Sequence, residues 1–279
     1  MAVGCAEVAL ERGFRLCPVA LAGSRSEVIT VSGCEVQLYP KAAHEEAVEK
    51  AISACGGASG SSLLVIDYTT PAAVGDNIAL YARYGLPFVC GTTGYSGKPE
   101  DLAEIVEKGK GGECYAVIAP NMNKQIVAFQ AMVGYAAETF PGAFANYNLS
   151  IKESHQKTKK DTSGTAQALC NHMSSLASDA SFTVDKIQQV RDEKSAMDEM
   201  GVPEAALTGH AFHTYTFQKQ GASPDLSGNA PECFFQFKHN ICGRRSYCEG
   251  TVDAVEWLCK KMAEKPEKKV YNMIDVLKG

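Results

Sequence analysis

Between residues 2 and 115, short apolar runs rich in β-branched and aromatic residues alternate with stretches of helical spacing. Parallel strands need a crossover of a dozen or more residues between them, so this alternation confines the first half of the chain to an α/β layer fold. The pattern predicts strands at 16–21, 35–39, 63–68, 87–90 and 115–119, and helices at 71–84 and 99–108. Both helices carry a proline in the first turn, where the missing N–H does no harm. This half reads as a doubly wound parallel sheet.

After Pro120 the pattern changes. Residues 124–140 have the spacing of a long amphipathic helix, 147–153 alternate like a strand, and 164–176 return to helical spacing. Strong alternation at 210–217 and 233–239 predicts a mainly antiparallel sheet with one buried face, its strands joined by a loop at 218–231. A helix at 251–265, with Trp257 on its apolar side, and an apolar segment at 271–277 close the chain. A length of 279 residues suits two domains, here 1–122 and 123–252, with 253–279 packing back on the first.

Charge and cysteine content exclude several classes. Twenty-seven Lys plus Arg against 32 Asp plus Glu leave a net charge of −5, which gives no footprint for nucleic acid or an anionic membrane surface. No apolar run approaches the roughly 18 residues of a membrane span. The 11 cysteines are odd in number and include no C-x-x-C pair, so they read as reduced thiols inside a cell or organelle.

Ligands of a doubly wound sheet lie beyond the carboxyl ends of its strands. Three strand-end segments stand out: VIDYT at 65–69, ending on Thr69; CGTTG at 90–94, with Gly91, Thr92 and Thr93; and IAPNMN at 118–123, with Ala119, Pro120, Asn121 and Met122. Glycine at 91 permits close backbone approach to a ligand and the threonines offer short hydroxyl donors, although the run also reads as a plain turn. Ser24 and Arg25 follow the first predicted strand, where nucleotide-binding folds read the adenosine ribose. Neither is acidic, so the pair suits a 2′-phosphate and favours NADPH, with NADH possible; a solvated loop arginine is the competing reading.

The densest cluster of chemistry is ESHQKTKKDTSGTA at 153–166. A strand delivers His155, a basic loop follows with Lys157, Lys159 and Lys160, and a helix begins near Ser163 or Gly164. Backbone N–H groups at that helix start, with the Ser163 and Thr165 hydroxyls, would bind a carboxylate or phosphate, and the lysines would neutralise a small dianion. His210, His213, His239 and Cys242 match no zinc spacing, and alternation sends His210 and His213 to opposite faces, so no metal is expected.

In seven strings occurring in order, the chain resembles the dihydrodipicolinate reductases, specifically their plant-type branch. They are VIDYT (65–69), PFVCGTTG (87–94), ESHQKTKKDTSGTA (153–166), GHAFHTY (209–215), QFKHNICGR (236–244), EGTVDAV (249–255) and YNMIDVL (271–277). The resemblance implies a Rossmann-type dinucleotide-binding domain followed by an α+β domain for substrate binding and oligomerisation. It implies NAD(P)H-dependent reduction of 4-hydroxy-tetrahydrodipicolinate, a small dicarboxylate, with loss of water, on the diaminopimelate route to lysine. The positions matching the family's catalytic pair are His155 and Lys159; Gly164 and Thr165 match its carboxylate-holding pair. Gln156 stands where bacterial members carry a second histidine that touches substrate. Gly91, Thr92 and Thr93, and Ala119 to Met122, match cofactor-contacting loops. A homo-oligomer, dimer or tetramer, and a plastid location are also implied, with the cytoplasm as the alternative.

Family members begin with a strand and a G-x-x-G-x-M-G turn that sets a pyrophosphate on a helix N-terminus. Met1 aligns with the methionine of that turn and Ala2 stands at its last glycine. A parallel sheet without a central strand would lose more than the ~5 to 15 kcal/mol by which such a domain is stable, so the sequence is expected to start at an internal methionine. Two rival readings are a catalytically silent scaffold and another two-domain reductase of aspartate-derived metabolites, which should lack the 153–166 segment.

Overall fold

The structure, a computed structural model, describes residues 1–55, 63–112, 114–219 and 233–279. The described chain divides into two compact units, Met1–Lys124 with Arg245–Gly279, and Gln125–Arg244. From residue 220 on, the expected loop at 218–231 lies outside the described residues.

The first unit opens with α1 (Ala2–Glu11), β1 (Val19–Leu21), β2 (Val28–Val31), β3 (Cys34–Tyr39), α2 (His44–Ala54) and β4 (Val65–Asp67). It continues with α3 (Val74–Tyr84), β5 (Phe88–Cys90), α4 (Pro99–Glu107) and β6 (Ala116–Ile118). All five predicted strands form, and β4, β5 and β6 lie parallel and adjacent. Phe88, Val89, Ala116 and Val117 have no exposed surface, which accounts for their unbroken apolar runs. The α3 helix stops at Gly85 in the left-handed region (φ 68°), where the Leu86 N–H returns to the Tyr81 carbonyl.

Among the described residues the parallel strands fall into two sheets. The β1 strand pairs with β3 in a separate three-stranded sheet, ordered β1-β3-β2. The β2 strand, which periodicity did not pick out, folds back on β3 through Ser32 and Gly33, both at positive φ. Two successive left-handed residues match the right-handed twist of a hairpin, so the Ser-Gly pair is the local signal for this turn.

The second unit contains α5 (Lys124–Thr139) from its second residue on, β7 (Tyr147–His155), α6 (Gly164–Ala177), β8 (Gln188–Val190), α7 (Glu193–Met200), β9 (His210–Lys219) and β10 (Phe234–Cys242). Its sheet runs β10-β9-β7-β8, antiparallel except for the β7–β8 pair. One face packs Ile151, Tyr215 and Phe217 against Leu169 and Met173 of α6 and Val133 and Ala137 of α5. The α7 helix is capped by Asp192, whose carboxylate accepts from the Ser195 N–H at 2.9 Å.

The chain then returns to the first unit with α8 (Arg245–Ala263), β11 (Val270–Tyr271) and α9 (Met273–Lys278). The β11 strand extends the parallel sheet beside β6, giving the order β11-β6-β5-β4. Trp257 of α8 meets the Tyr271 ring edge-on at 4.9 Å. The 11 cysteines are all free thiols. Among the described residues no helix is long and apolar enough to cross a membrane.

Candidate active site

Alternation along β7 places Leu149, Ile151, Glu153 and His155 on one face, so a strand that begins by filling the core ends by presenting chemistry. Glu153 lies opposite His213 of β9, and His213 opposite His239 of β10, which sets a carboxylate and two imidazoles in one cross-strand row. Glu153 is fully buried, and its charge is met by Arg191, just beyond β8. The guanidinium donates to Oε1 at 2.6 Å and to Oε2 at 3.2 Å.

His155 Nε2 lies 3.3 Å from Glu153 Oε2 and 3.2 Å from His213 Nε2. The row goes on from His213 Nδ1 to the Tyr215 hydroxyl at 3.0 Å, and from there to His239 Nε2 at 3.4 Å. Burial, aided by Arg191 and Lys159, pushes His155 down to about 3. Burial alone takes His239 to about 4 and is the main cause holding His213 well below its ordinary value. Glu153 alone would favour an imidazolium, but Arg191 already neutralises it, so His155 is a neutral imidazole near pH 7. His210 faces the other way, to Ser154 Oγ at 2.8 Å, as the alternation of β9 requires.

Glu153, His155 and His213 offer ligand atoms within 4.8 Å of one another. Both oxygens of the carboxylate are bound by the guanidinium, so a cation entering this trio would meet a fixed positive charge at bonding distance. The cluster reads as an ion-pair and hydrogen-bond network.

The 156–162 loop hangs on the same guanidinium. Arg191 Nε donates to the Lys159 carbonyl at 2.8 Å and Nη2 to the Asp161 carbonyl at 3.2 Å, while the Lys159 N–H closes a turn onto Gln156. The Lys159 ammonium rests 2.9 Å from the carboxylate of Asp161, a side chain 78% exposed. Helix α6 then starts at Gly164, which is exposed and where an added Cβ would meet no atom within 4 Å. Ser163 is turned inward instead: it is buried, and its N–H points to Glu153 Oε1 at 3.4 Å. An ammonium paired with an exposed carboxylate, a neutral imidazole and the exposed first residue of a helix on one short stretch can hold a small anion and deliver a proton to it.

In the first unit the carboxyl ends of β4, β5 and β6 align, with Asp67 beside Cys90 and Cys90 beside Ile118. Thr69, the Gly91–Thr93 run and the Ala119–Met122 run therefore leave the sheet side by side. Asp67 ties the first two together. Its Oδ1 accepts from Thr69 N at 2.9 Å, Thr69 Oγ1 at 2.8 Å and Thr92 Oγ1 at 3.4 Å; its Oδ2 accepts from Asn77 Nδ2 at 3.1 Å and Tyr81 OH at 2.8 Å.

Gly91 is explained here by a protein neighbour: a Cβ there would lie 2.5 Å from the ring of Tyr68, whose hydroxyl bonds Thr251 Oγ1 at 2.7 Å. Gly250 is tighter still, since its Cβ would stand 1.8 Å from the Met122 carbonyl oxygen. Ser24 and Arg25 follow β1 on the other sheet, and the exposed Arg25 guanidinium is paired with Glu27.

A family model described as Dihydrodipicolinate reductase, N-terminus matches residues 20–122, and one described as Dihydrodipicolinate reductase, C-terminus matches residues 125–277. The chain belongs to the dihydrodipicolinate reductase family. This family member is 42% identical over 268 residues to the 4-hydroxy-tetrahydrodipicolinate reductase 1, chloroplastic, of Arabidopsis thaliana, covering 95% of this chain and 71% of that protein. It is 49% identical over 216 residues to reductase 2, chloroplastic, of the same plant, covering 77% of this chain and 57% of that protein. Among solved structures, the dipicolinate-bound dihydrodipicolinate reductase from Paenisporosarcina sp. TG-14 is 20% identical, covers 75% of this chain and 71% of that one, and has a TM-score of 0.46.

The family uses NAD(P)H, and the first unit of this dihydrodipicolinate reductase family member offers chemistry that fits such a cofactor. The Thr69, Gly91–Thr93 and Ala119–Met122 runs leave adjacent strand ends, with Thr69 and Thr92 steadied by Asp67, and a Cβ at Gly23 would meet nothing within 4 Å. Sequence reasoning missed Arg191, Asp67 and Gly250. A carboxylate ending an apolar strand was a readable signal for Asp67. Gly250 is defined only by the backbone it meets, and Arg191 follows a strand too short to show a period.

Proposed function

We propose that this chain catalyses the NAD(P)H-dependent reduction of 4-hydroxy-tetrahydrodipicolinate, with loss of water, to tetrahydrodipicolinate. The observation that carries this reading is the 153–166 segment, in which the Lys159 ammonium, the neutral His155 and the exposed first residue of α6 lie on one stretch of a reductase-family chain. When bound, the cofactor supplies the hydride.

Gly164 and Thr165 would bind one substrate carboxylate through the start of α6, with Gln156 adding a hydrogen bond from the loop. Lys159, released from the exposed Asp161, would donate the proton to the carbon that gains electron density. His155, neutral and anchored through His213, would orient the substrate and steady the developing charge without adding a fixed positive charge of its own. Ser163 supports the site from within. Thr69, Gly91, Thr92, Thr93 and the Ala119–Met122 run would contact the cofactor.

Ser24 and Arg25 support NADPH as the better substrate. The Arg25–Glu27 pair would have to open to admit a 2′-phosphate, which also leaves NADH usable. Self-association through β10 is supported by its place at the sheet edge and by exposed Phe234, Phe235 and Phe237. The chloroplastic relatives support a plastid location.

The test is oxidation of NADPH by the purified chain supplied with freshly generated 4-hydroxy-tetrahydrodipicolinate. Oxidation that needs both is expected. A folded chain that binds NADPH and oxidises none would overturn the reading in favour of a silent binding protein.

A further inference from the structure

The side chain of Arg191 has five N–H donors, and the structure gives each of them an acceptor. Nε donates to the Lys159 carbonyl at 2.8 Å; Nη1 to Glu153 Oε2 at 3.2 Å and to the Val190 carbonyl at 3.1 Å; Nη2 to Glu153 Oε1 at 2.6 Å and to the Asp161 carbonyl at 3.2 Å. Three elements thus meet on one planar group: the end of β7 through Glu153, the end of β8 through Val190, and the 159–161 loop through two carbonyls.

The Glu153 side chain is wholly buried and that of Arg191 is 18% exposed, so the pair is shielded from screening by water and salt. Beyond residue 161 the loop is held by Gln167 Nε2, which donates to the Thr162 carbonyl at 2.9 Å, and by Gln189 Nε2, which donates to Thr162 Oγ1 at 2.8 Å. Before it, Lys157 and Lys160 are exposed, and among the described residues the Lys159 ammonium pairs with the exposed carboxylate of Asp161, two residues away.

We infer that Arg191 is a positioning residue: with Glu153 as its buried anchor, it fixes the backbone on both sides of residue 160 and so sets where the Lys159 ammonium can reach. This inference rests on Lys159 being the proton donor. The geometry also says why an arginine stands here. A lysine ammonium is a point charge with three donors on one atom, and it cannot serve five acceptors spread around a plane. The loop backbone is held rigidly while the Lys159 side chain, four methylenes long, stays free to swing from Asp161 to a ligand.

The test separates local positioning from general support. Amide hydrogen exchange is compared between the unaltered chain and Arg191→Lys, which keeps the charge beside Glu153. Exchange at residues 157–163 is expected to quicken at least tenfold, with residues 147–153 of β7 unchanged. Unchanged exchange at 157–163, or quickening spread evenly over the second unit, overturns the inference.

Turnover supplies the second readout. Arg191→Lys is expected to lower kcat about 100-fold, the scale of an ångström-sized misplacement, while leaving KM for NADPH unchanged. Guanidinium ion at millimolar concentration should restore part of the activity of Arg191→Ala. An Arg191→Lys enzyme with kcat within threefold of its parent overturns the inference, given that Lys159→Ala is inactive in the same assay. If Lys159→Ala instead keeps its activity, the proton-donor reading falls, and the exchange result alone decides whether Arg191 holds the loop.

Discussion

The imidazoles of His155 and His213 face each other with their Nε2 atoms 3.2 Å apart, on neighbouring strands of one sheet. Two such rings tolerate this distance only while at least one is neutral, and burial keeps both that way. In the unfolded chain each histidine gains a proton near pH 6.5, whereas in the folded chain His155 does so only near 3. The unfolded state therefore binds more protons between those values, and stability rises with pH across that window. Acidification from pH 7 to pH 4 should destabilise the second unit, by up to about 1.4 kcal/mol per pH unit for each histidine kept neutral. Urea unfolding followed at several pH values checks this, and the slope should flatten in His213→Gln.

Lys159→Ala should leave the fold intact and lower kcat about 1,000-fold, within the range that general acids supply. The lost ion pair with Asp161 is a surface contact of little weight, so the thermal midpoint should not move. Steady-state kinetics beside circular dichroism decide it; a fast Lys159→Ala enzyme would remove the lysine from the chemistry.

Arg25→Asp should raise the Kd of NADPH more than that of NADH, because only the former carries a phosphate for the guanidinium to meet. Glu27→Gln is expected to act in the opposite sense, tightening NADPH by freeing the guanidinium from its present partner. Fluorescence titration with both cofactors reads this directly. Equal effects on the two would place Arg25 outside the cofactor site.

Asp67→Asn puts an amide N–H2 among five donors that all need an acceptor. The buried Tyr81 hydroxyl and Asn77 amide cannot turn to water, so a loss of about 2 kcal/mol is expected, with weaker cofactor binding as the Thr69 and Thr92 loops loosen. Tyr81→Phe, which removes one donor of the five, should lose about 1 kcal/mol. Thermal unfolding of both variants gives the comparison.

Much of this molecule was written locally. The apolar runs of β5 and β6 are continuous because both faces are covered, and β7 and β9 alternate over most of their length because one face packs on α5 and α6, so each could be read from its own residues. The start of α6 at Gly164 was equally legible from the Thr-Ser-Gly that precedes it. What escaped depends on partners distant in sequence. The anchor of the Lys159 loop lies 32 residues further on, in Arg191, after a three-residue strand with no period to detect. Gly91 reads from sequence as room for a ligand or as a plain turn, and the ring of Tyr68, which a Cβ there would meet at 2.5 Å, comes from pairing that the run itself does not record. The division of the parallel strands into two sheets is likewise a property of pairing, which no single strand records.

That division has a mechanical corollary. Among the described residues no hydrogen-bonded ladder joins β1 to β4, so the loop bearing Ser24 and Arg25 and the loops bearing Thr69, Thr92 and Asn121 leave two different sheets. A long ligand that reached both sets of loops would bridge the two sheets.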